Sequence, residues 1–112
     1  MAVTQGYIEY VLEQLERLGT VTAKKMFGGA GLYFQGLFFG LIDSGDRFYL
    51  KVDDTNRADF ETRGSEPFNP PSSRPMGKGM PYMTVPEDVL EDPDELAVWA
   101  RKSVTVAAKK KG

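Results

Sequence analysis

Several stretches of this sequence carry residue types that could do chemistry. Gly28-Gly29-Ala30-Gly31 has the glycine density of a phosphate cradle, in which bare backbone N–H groups at a helix N-terminus face the anion. Strand formers follow it, and there is no Gly-Lys-Ser/Thr, so strand geometry explains the glycines better. The Gly77-Lys78-Gly79 triplet is no stronger a candidate. Glu87, Asp88, Glu91, Asp92, Asp94 and Glu95 could be imagined as metal ligands or hydrolytic acids. They fall where helices begin, and carboxylates there meet the positive dipole end and free N–H groups. Serine and threonine hydroxyls need an activating base, but the chain has no His, no Cys and no Ser-x-x-Lys. Triads, thiol chemistry, Cys/His zinc sites, haem ligation and disulfides are thereby excluded. The expectation is a non-enzymatic chain with no cofactor and no metal.

The remaining constellations are ones of recognition. Alternation along the extended segments sets Tyr33, Gln35, Arg47, Tyr49, Lys51 and Tyr82 opposite the apolar set Leu32, Phe34, Phe48, Leu50 and Val52. One sheet face then mixes tyrosines with cations. It reads either as a stacking platform for single-stranded nucleic acid, or as amphipathic rings half-buried by a loop or a second subunit. The acidic sequence pI of about 5.1 favours the second reading. A proline- and glycine-rich connection over residues 65–79 is the other candidate, since irregular segments longer than about 12 residues are uncommon in compact domains and tend to be functional. Met76, Met80 and Met83 flank it, as adaptable partner contacts or as core filling.

The elements that must position these residues follow from periodicity. Ile8, Val11, Leu12, Leu15 and Leu18 recur at helical spacing within residues 7–18, after Thr4 or Gln5 as the start and before Gly19 as the stop. Residues 21–27, 30–35, 37–42 and 47–52 are rich in aromatic and branched residues and read as antiparallel strands. Gln35-Gly36 and Asp43-Ser44-Gly45-Asp46 connect them. Gly28-Gly29 is expected as a bulge or bend, so that the first two segments form one long bent strand. A short helix over 55–63, capped by Asp53, Asp54 or Thr55 and stopped by Gly64, turns Ala58 and Phe60 inward. Residues 80–85 form the last strand, with 66–68 as its edge partner. Asp92-Pro93-Asp94-Glu95 opens the final helix, with Leu96, Trp99, Ala100, Ser103, Val104 and Ala107 as its inner stripe. The order is α, three or four strands, α, two strands, α: an α+β domain with one antiparallel sheet.

The chain has 112 residues, 41% of them hydrophobic, with a net charge of -2, enough for one core and too balanced for disorder. Residues 1–10 lack the basic and apolar runs of a secretory leader, and no stretch reaches the ~20 apolar residues of a membrane span, so a cytoplasmic location is expected. The basic run Lys109 to Lys111 reads as solvated charge at a helix C-terminus.

Met26-Phe27-Gly28-Gly29-Ala30-Gly31-Leu32-Tyr33, then Tyr49-Leu50-Lys51-Val52-Asp53, Phe60 with Gly64, Pro67-Phe68, Met80-Pro81-Tyr82 and Trp99-Ala100-Arg101 together resemble the N-terminal domain of the TfoX/Sxy family. The resemblance spans roughly residues 21–103. It implies a secretion-chaperone-like fold, α-β(3)-α-β(2)-α, and regulatory work without catalytic residues. Longer members carry a further helical domain and regulate bacterial competence genes with the cyclic-AMP receptor protein at promoters. A stand-alone domain is therefore expected, with a core over about 5–108 and a short basic tail at 109–112. The expected partner is a protein, with a homodimer through the aromatic face or an open strand edge as a further assembly and direct nucleic-acid binding disfavoured. Met26, Phe27, Gly28, Gly29, Gly31, Tyr33 and Trp99 are expected to serve the fold. Tyr33, Arg47, Tyr49, Lys51, Met76, Met80 and Tyr82 are the candidate partner contacts. Gly40 departs from the family pattern, standing where a small alanine-like residue is expected.

Overall fold

In the computed structural model the described residues are 3–26, 28–68 and 81–111. Phe27, Met76 and Met80, with most of the expected 65–79 loop, lie outside them.

Thr4 is extended and its hydroxyl accepts from the Tyr7 N–H, which opens α1 (Gln5–Gln14). The helix stops a turn short of the expected Leu18. Leu18 and Gly19 instead donate to the carbonyls three residues back, a tighter winding that still delivers Leu15 and Leu18 to the core. Gly19, at φ +134°, then releases the chain into β1 (Val21–Met26).

β1 pairs antiparallel with β2 (Gly29–Phe34), which corrects the expectation of one bent strand. Met26 lies opposite Gly29, so β1 and β2 are the two arms of a hairpin. Gly28 supplies its left-handed conformation, φ +80°. Gln35 and Gly36, both at positive φ, form the next hairpin into β3 (Leu37–Ile42), as a primed turn requires, and Gln35 thereby leaves the tyrosine-bearing face. A register shift follows: Leu32 faces Gly40 while Tyr33 faces Phe38. The extra residue, Phe39, is fully buried.

Asp43 shapes the turn into β4 (Phe48–Lys51), its Oδ1 accepting from the Gly45 and Arg47 N–H groups. The short helix α2 (Arg57–Thr62) begins after Asn56, not at the expected caps. The Asn56 side chain turns inward, accepting from the Asp53 N–H and donating to the Lys51 carbonyl at 3.1 Å. Phe60 is buried as expected, but Ala58 is exposed, because so short a helix turns only one side inward. Gly64 ends the turn at φ +76°.

β5 (Tyr82–Thr84) is shorter than expected and pairs with β4, while Pro67 bridges to Met83 on the outer side, as expected for 66–68. The result is a five-stranded antiparallel sheet in the order β1-β2-β3-β4-β5, the α+β architecture expected, with four strands before α2 and the Pro67 bridge and β5 after it. The four-residue α3 (Glu87–Leu90) was not anticipated, being too short to show a period. Asp92 caps α4 (Pro93–Lys111) by accepting from the Asp94 and Glu95 N–H groups. The helix continues through the basic run.

α4 crosses β3 and β4, α3 packs on α4, and α1 lies beside β1. Leu32, Phe39, Ile42, Leu50 and Val52 meet Val11, Leu15, Leu96 and Ala100 beneath them. The buried stripe of α4 contains the expected Leu96, Trp99, Ala100, Ser103 and Ala107, but Val106 is buried where Val104 is only half-buried. Trp99 packs edge-on against Phe60, ring centroids 4.7 Å apart. The Arg63 guanidinium lies 5.7 Å from the Trp99 ring and bonds Asp88 and Glu95, linking α2, α3 and α4. With Asp94 paired to Arg17 and Asp92 capping, four of the six clustered acids have structural work.

Candidate interaction surface

Among the described residues, no helix packs on the opposite face of the sheet. The pairs Tyr33–Phe38, Gly31–Leu41, Leu41–Tyr49, Tyr49–Thr84 and Lys51–Tyr82 place Tyr33, Phe38, Leu41, Tyr49, Lys51 and Tyr82 on one side, as alternation predicted. Tyr33 stacks on Phe38 at 5.2 Å, and Phe38 leans on Tyr82 at 5.8 Å. The Lys51 Nζ lies 5.9 Å from the Tyr82 ring centroid. A second cluster joins Tyr49 to Phe68, edge to face at 4.9 Å, with the Arg47 guanidinium 6.0 Å from the Tyr49 ring. Arg47 stands just before β4 and pairs with Glu66 at 3.0 Å. That pair is exposed, so it orients the side chain more than it stabilises the fold.

The glycine motif forms part of this surface's foundation. A Cβ on Gly31 would meet Met26 Cε at 2.7 Å, Phe38 Cε1 at 3.0 Å and Tyr33 Cε1 at 3.3 Å: these side chains close over bare backbone. Gly29 passes so near β3 that a Cβ would sit 2.3 Å from the Ile42 carbonyl oxygen. Gly40 has the same logic, its would-be Cβ 2.8 Å from the Tyr49 carbonyl oxygen, which explains glycine where alanine was expected. With Gly28 in its turn, the motif glycines serve the sheet, and no helix N-terminus lies behind them to receive a phosphate.

Of the candidate contacts, Tyr33, Tyr49, Lys51 and Tyr82 come together on this face with Arg47 at its end. Met76 and Met80 are outside the described residues. Burial divides the tyrosines, for Tyr49 is 4% and Tyr82 6% exposed while Tyr33 and Phe38 remain half-buried. Phe38, Phe68 and Asp43 are contributors that sequence reasoning missed. Leu37-Phe38-Phe39 is apolar at every position, so alternation assigns no face there. Spacing gave no sign of Asp43, whose Oδ2 accepts the Tyr49 O–H at 2.9 Å.

Burial and this bond to a carboxylate push the Tyr49 phenol up to about 12. Burial also raises Tyr82, with Tyr33 adding to it. The neutral Tyr49 phenol favours the folded state fully below its ordinary value near 10, and that contribution disappears as pH rises toward 12. A tyrosinate absorbance titration should show Tyr49 ionising late and together with unfolding. Tyr49→Phe should remove that late step, and a step unchanged in the variant would assign it elsewhere.

Among the described residues no three His, Cys, Asp or Glu side chains gather as metal ligands, and no helix is long and apolar enough to cross a membrane. The described residues thus form an antiparallel sheet backed by helices on one side, with aromatic rings on the other. The chain belongs to the TfoX N-terminal domain family, whose model matches residues 13–107, nearly the whole length. That family is one of competence-related regulatory domains and is non-catalytic. No curated protein matches the chain.

Proposed function

We propose that this domain regulates without catalysis, by binding another protein through the outer sheet face, and that its work lies in transcription regulation. The observation that supports the reading is a sheet face, with no helix on it among the described residues, on which Tyr33 and Phe38 stack half-buried, with Lys51 and Arg47 on the same surface. Rigid aromatic rings beside cations are the composition of interface anchors. Family membership supports the regulatory part, and the lack of His and Cys leaves few catalytic routes.

Affinity capture from the native host, with bound proteins and nucleic acids both identified, tests this reading. A protein should be retained, and its affinity should fall at least about tenfold for Arg47→Ala/Lys51→Ala while the circular dichroism spectrum stays unchanged. Unaltered affinity would remove the charged rim from the account.

The same rings define the competing reading, stacking of single-stranded nucleic acid. With Tyr49 and Tyr82 buried, Tyr33 is the one candidate tyrosine left with appreciable open surface. Labelled oligonucleotides should show no binding even at about 50 mM salt, where counterion release favours it most. A homodimer through the β1 edge draws little support, because Lys24 and Lys25 are exposed there and edge lysines discourage strand pairing.

A further inference from the structure

Among the described residues β1 is an edge strand, paired to β2 on one side and to nothing on the other. Which of its main-chain groups face outward follows from the neighbouring turn. Phe34 and Leu37 close the two-residue Gln35-Gly36 turn and bond each other, which points the Phe34 N–H and C=O away from β1. Tyr33, next in line, points the other way, and its carbonyl accepts from the Thr22 hydroxyl at 3.5 Å. Alternation then gives Thr22, Lys24 and Met26 to the ladder with β2 and turns the N–H and C=O groups of Val21, Ala23 and Lys25 outward. Among the described residues no main-chain hydrogen bond outside that ladder involves residues 21–26. The six pairs run without a register shift and the strand has no proline, so neither a bulge nor a missing donor blunts this edge.

The side chains add a charge. Lys24 and Lys25 are exposed and, being consecutive, stand on opposite faces of the sheet: Lys24 opposite Gly31 on the side of Tyr33, Lys25 opposite Ala30 on the side of the helices. Lys102 and Lys109 hold the carboxylates of Asp59 and Asp53, whereas among the described residues Lys24 and Lys25 hold none. In a chain of net charge -2 the open edge is thus locally positive.

We propose that the β1 edge takes up an extended acidic segment of another protein as a sixth strand, with two consecutive carboxylates set against Lys24 and Lys25. The outward N–H and C=O groups supply main-chain bonds whatever the sequence, and the lysine pair selects the side chains. Consecutive acids on a strand point to opposite faces, as these lysines do, so one acidic pair meets both. A second copy of this chain brings the same lysines to the edge and is repelled; an acidic strand is attracted by the same charges. The edge is distinct from the Tyr33–Phe38 surface of the proposed function, and each can fail alone.

The test is an amide NMR titration of the full chain with a capped octapeptide of alternating threonine and valine around two central glutamates, and with its counterparts carrying two glutamines or two lysines there. The glutamate peptide should shift the amides of residues 21–26 and slow hydrogen exchange at Val21, Ala23 and Lys25, the N–H groups left open in the free chain. The glutamine peptide should bind at least about tenfold more weakly and the lysine peptide not at all. Lys24→Glu/Lys25→Glu, at two exposed positions, should lose the glutamate peptide and gain the lysine peptide, a gain that unfolding cannot mimic. Equal binding of the glutamate and glutamine peptides, shifts mapping elsewhere, or no binding of the glutamate peptide would overturn the proposal. So would shifts at residues 21–26 with exchange unchanged at Val21, Ala23 and Lys25, which would mean charge attraction without an added strand.

Discussion

Replacing Trp99 by alanine should destabilise the domain by about 3–5 kcal/mol, read as a lower denaturation midpoint. The indole is 9% exposed, meets Phe60 edge-on, and carries the Arg63 guanidinium beside its ring. Truncation opens a cavity in the layer where α2 and α4 meet, and Arg63, bonded to Asp88 and Glu95, can fill it only by giving up those bonds. Domains of this size have roughly 5–15 kcal/mol in total, so the variant should approach the unfolding threshold. Trp99→Phe, which keeps an aromatic ring against Phe60, should lose less than half as much. A loss below about 1 kcal/mol for Trp99→Ala would mean that the contact does not organise the helical layer.

Gly29→Ala is the second large effect, and it acts through backbone geometry. The new Cβ would lie 2.3 Å from the Ile42 carbonyl oxygen and 3.3 Å from the Asp43 Cα. Both obstacles are main chain, so β2 and β3 must separate at the end where Asp43 holds the turn into β4. Overpacking of this kind costs about 1–3 kcal/mol, and the strained ladder adds to it. The displacement should also loosen the Asp43–Tyr49 bond, bringing the Tyr49 titration back toward its ordinary range. Gly36→Ala is the contrast: its Cβ has nothing within 4 Å and the change meets only the cost of φ +79°, about 1 kcal/mol. Equal midpoints for Gly29→Ala and the parent would refute the close-approach explanation of the motif.

Local physics made much of this fold readable in the residue order. The Thr4 and Asp92 caps, the Gln35-Gly36 turn, the alternation of β4 and the α4 stripe each express a short-range rule, and each appears where that rule puts it, with Val106 and Val104 trading places. What escaped depends on neighbours distant in sequence. Gly28-Gly29 could bend a strand or close a hairpin, and only the approach of β3 to β2 decides between them. Asn56 sits in a run of apparent capping residues, yet its amide is spent on the end of β4, where Ser103 of α4 also donates to the Lys51 carbonyl. Alternation grouped the outer-face tyrosines correctly, but it carries no information on cover, so the burial of Tyr49 beneath Phe68 was invisible.

In the function proposed here, a protein partner sits on the side of the sheet opposite α4, over Tyr33 and Phe38. Oxidative footprinting of the Tyr33 and Phe38 side chains, in the free chain and in complex with the captured partner, tests it most directly. Both rings are half-buried in the free domain and should lose most of their reactivity on binding, while exposed Val98 on α4 keeps its own. Unchanged reactivity at Tyr33 and Phe38, with protection moving to Val98, would contradict the account.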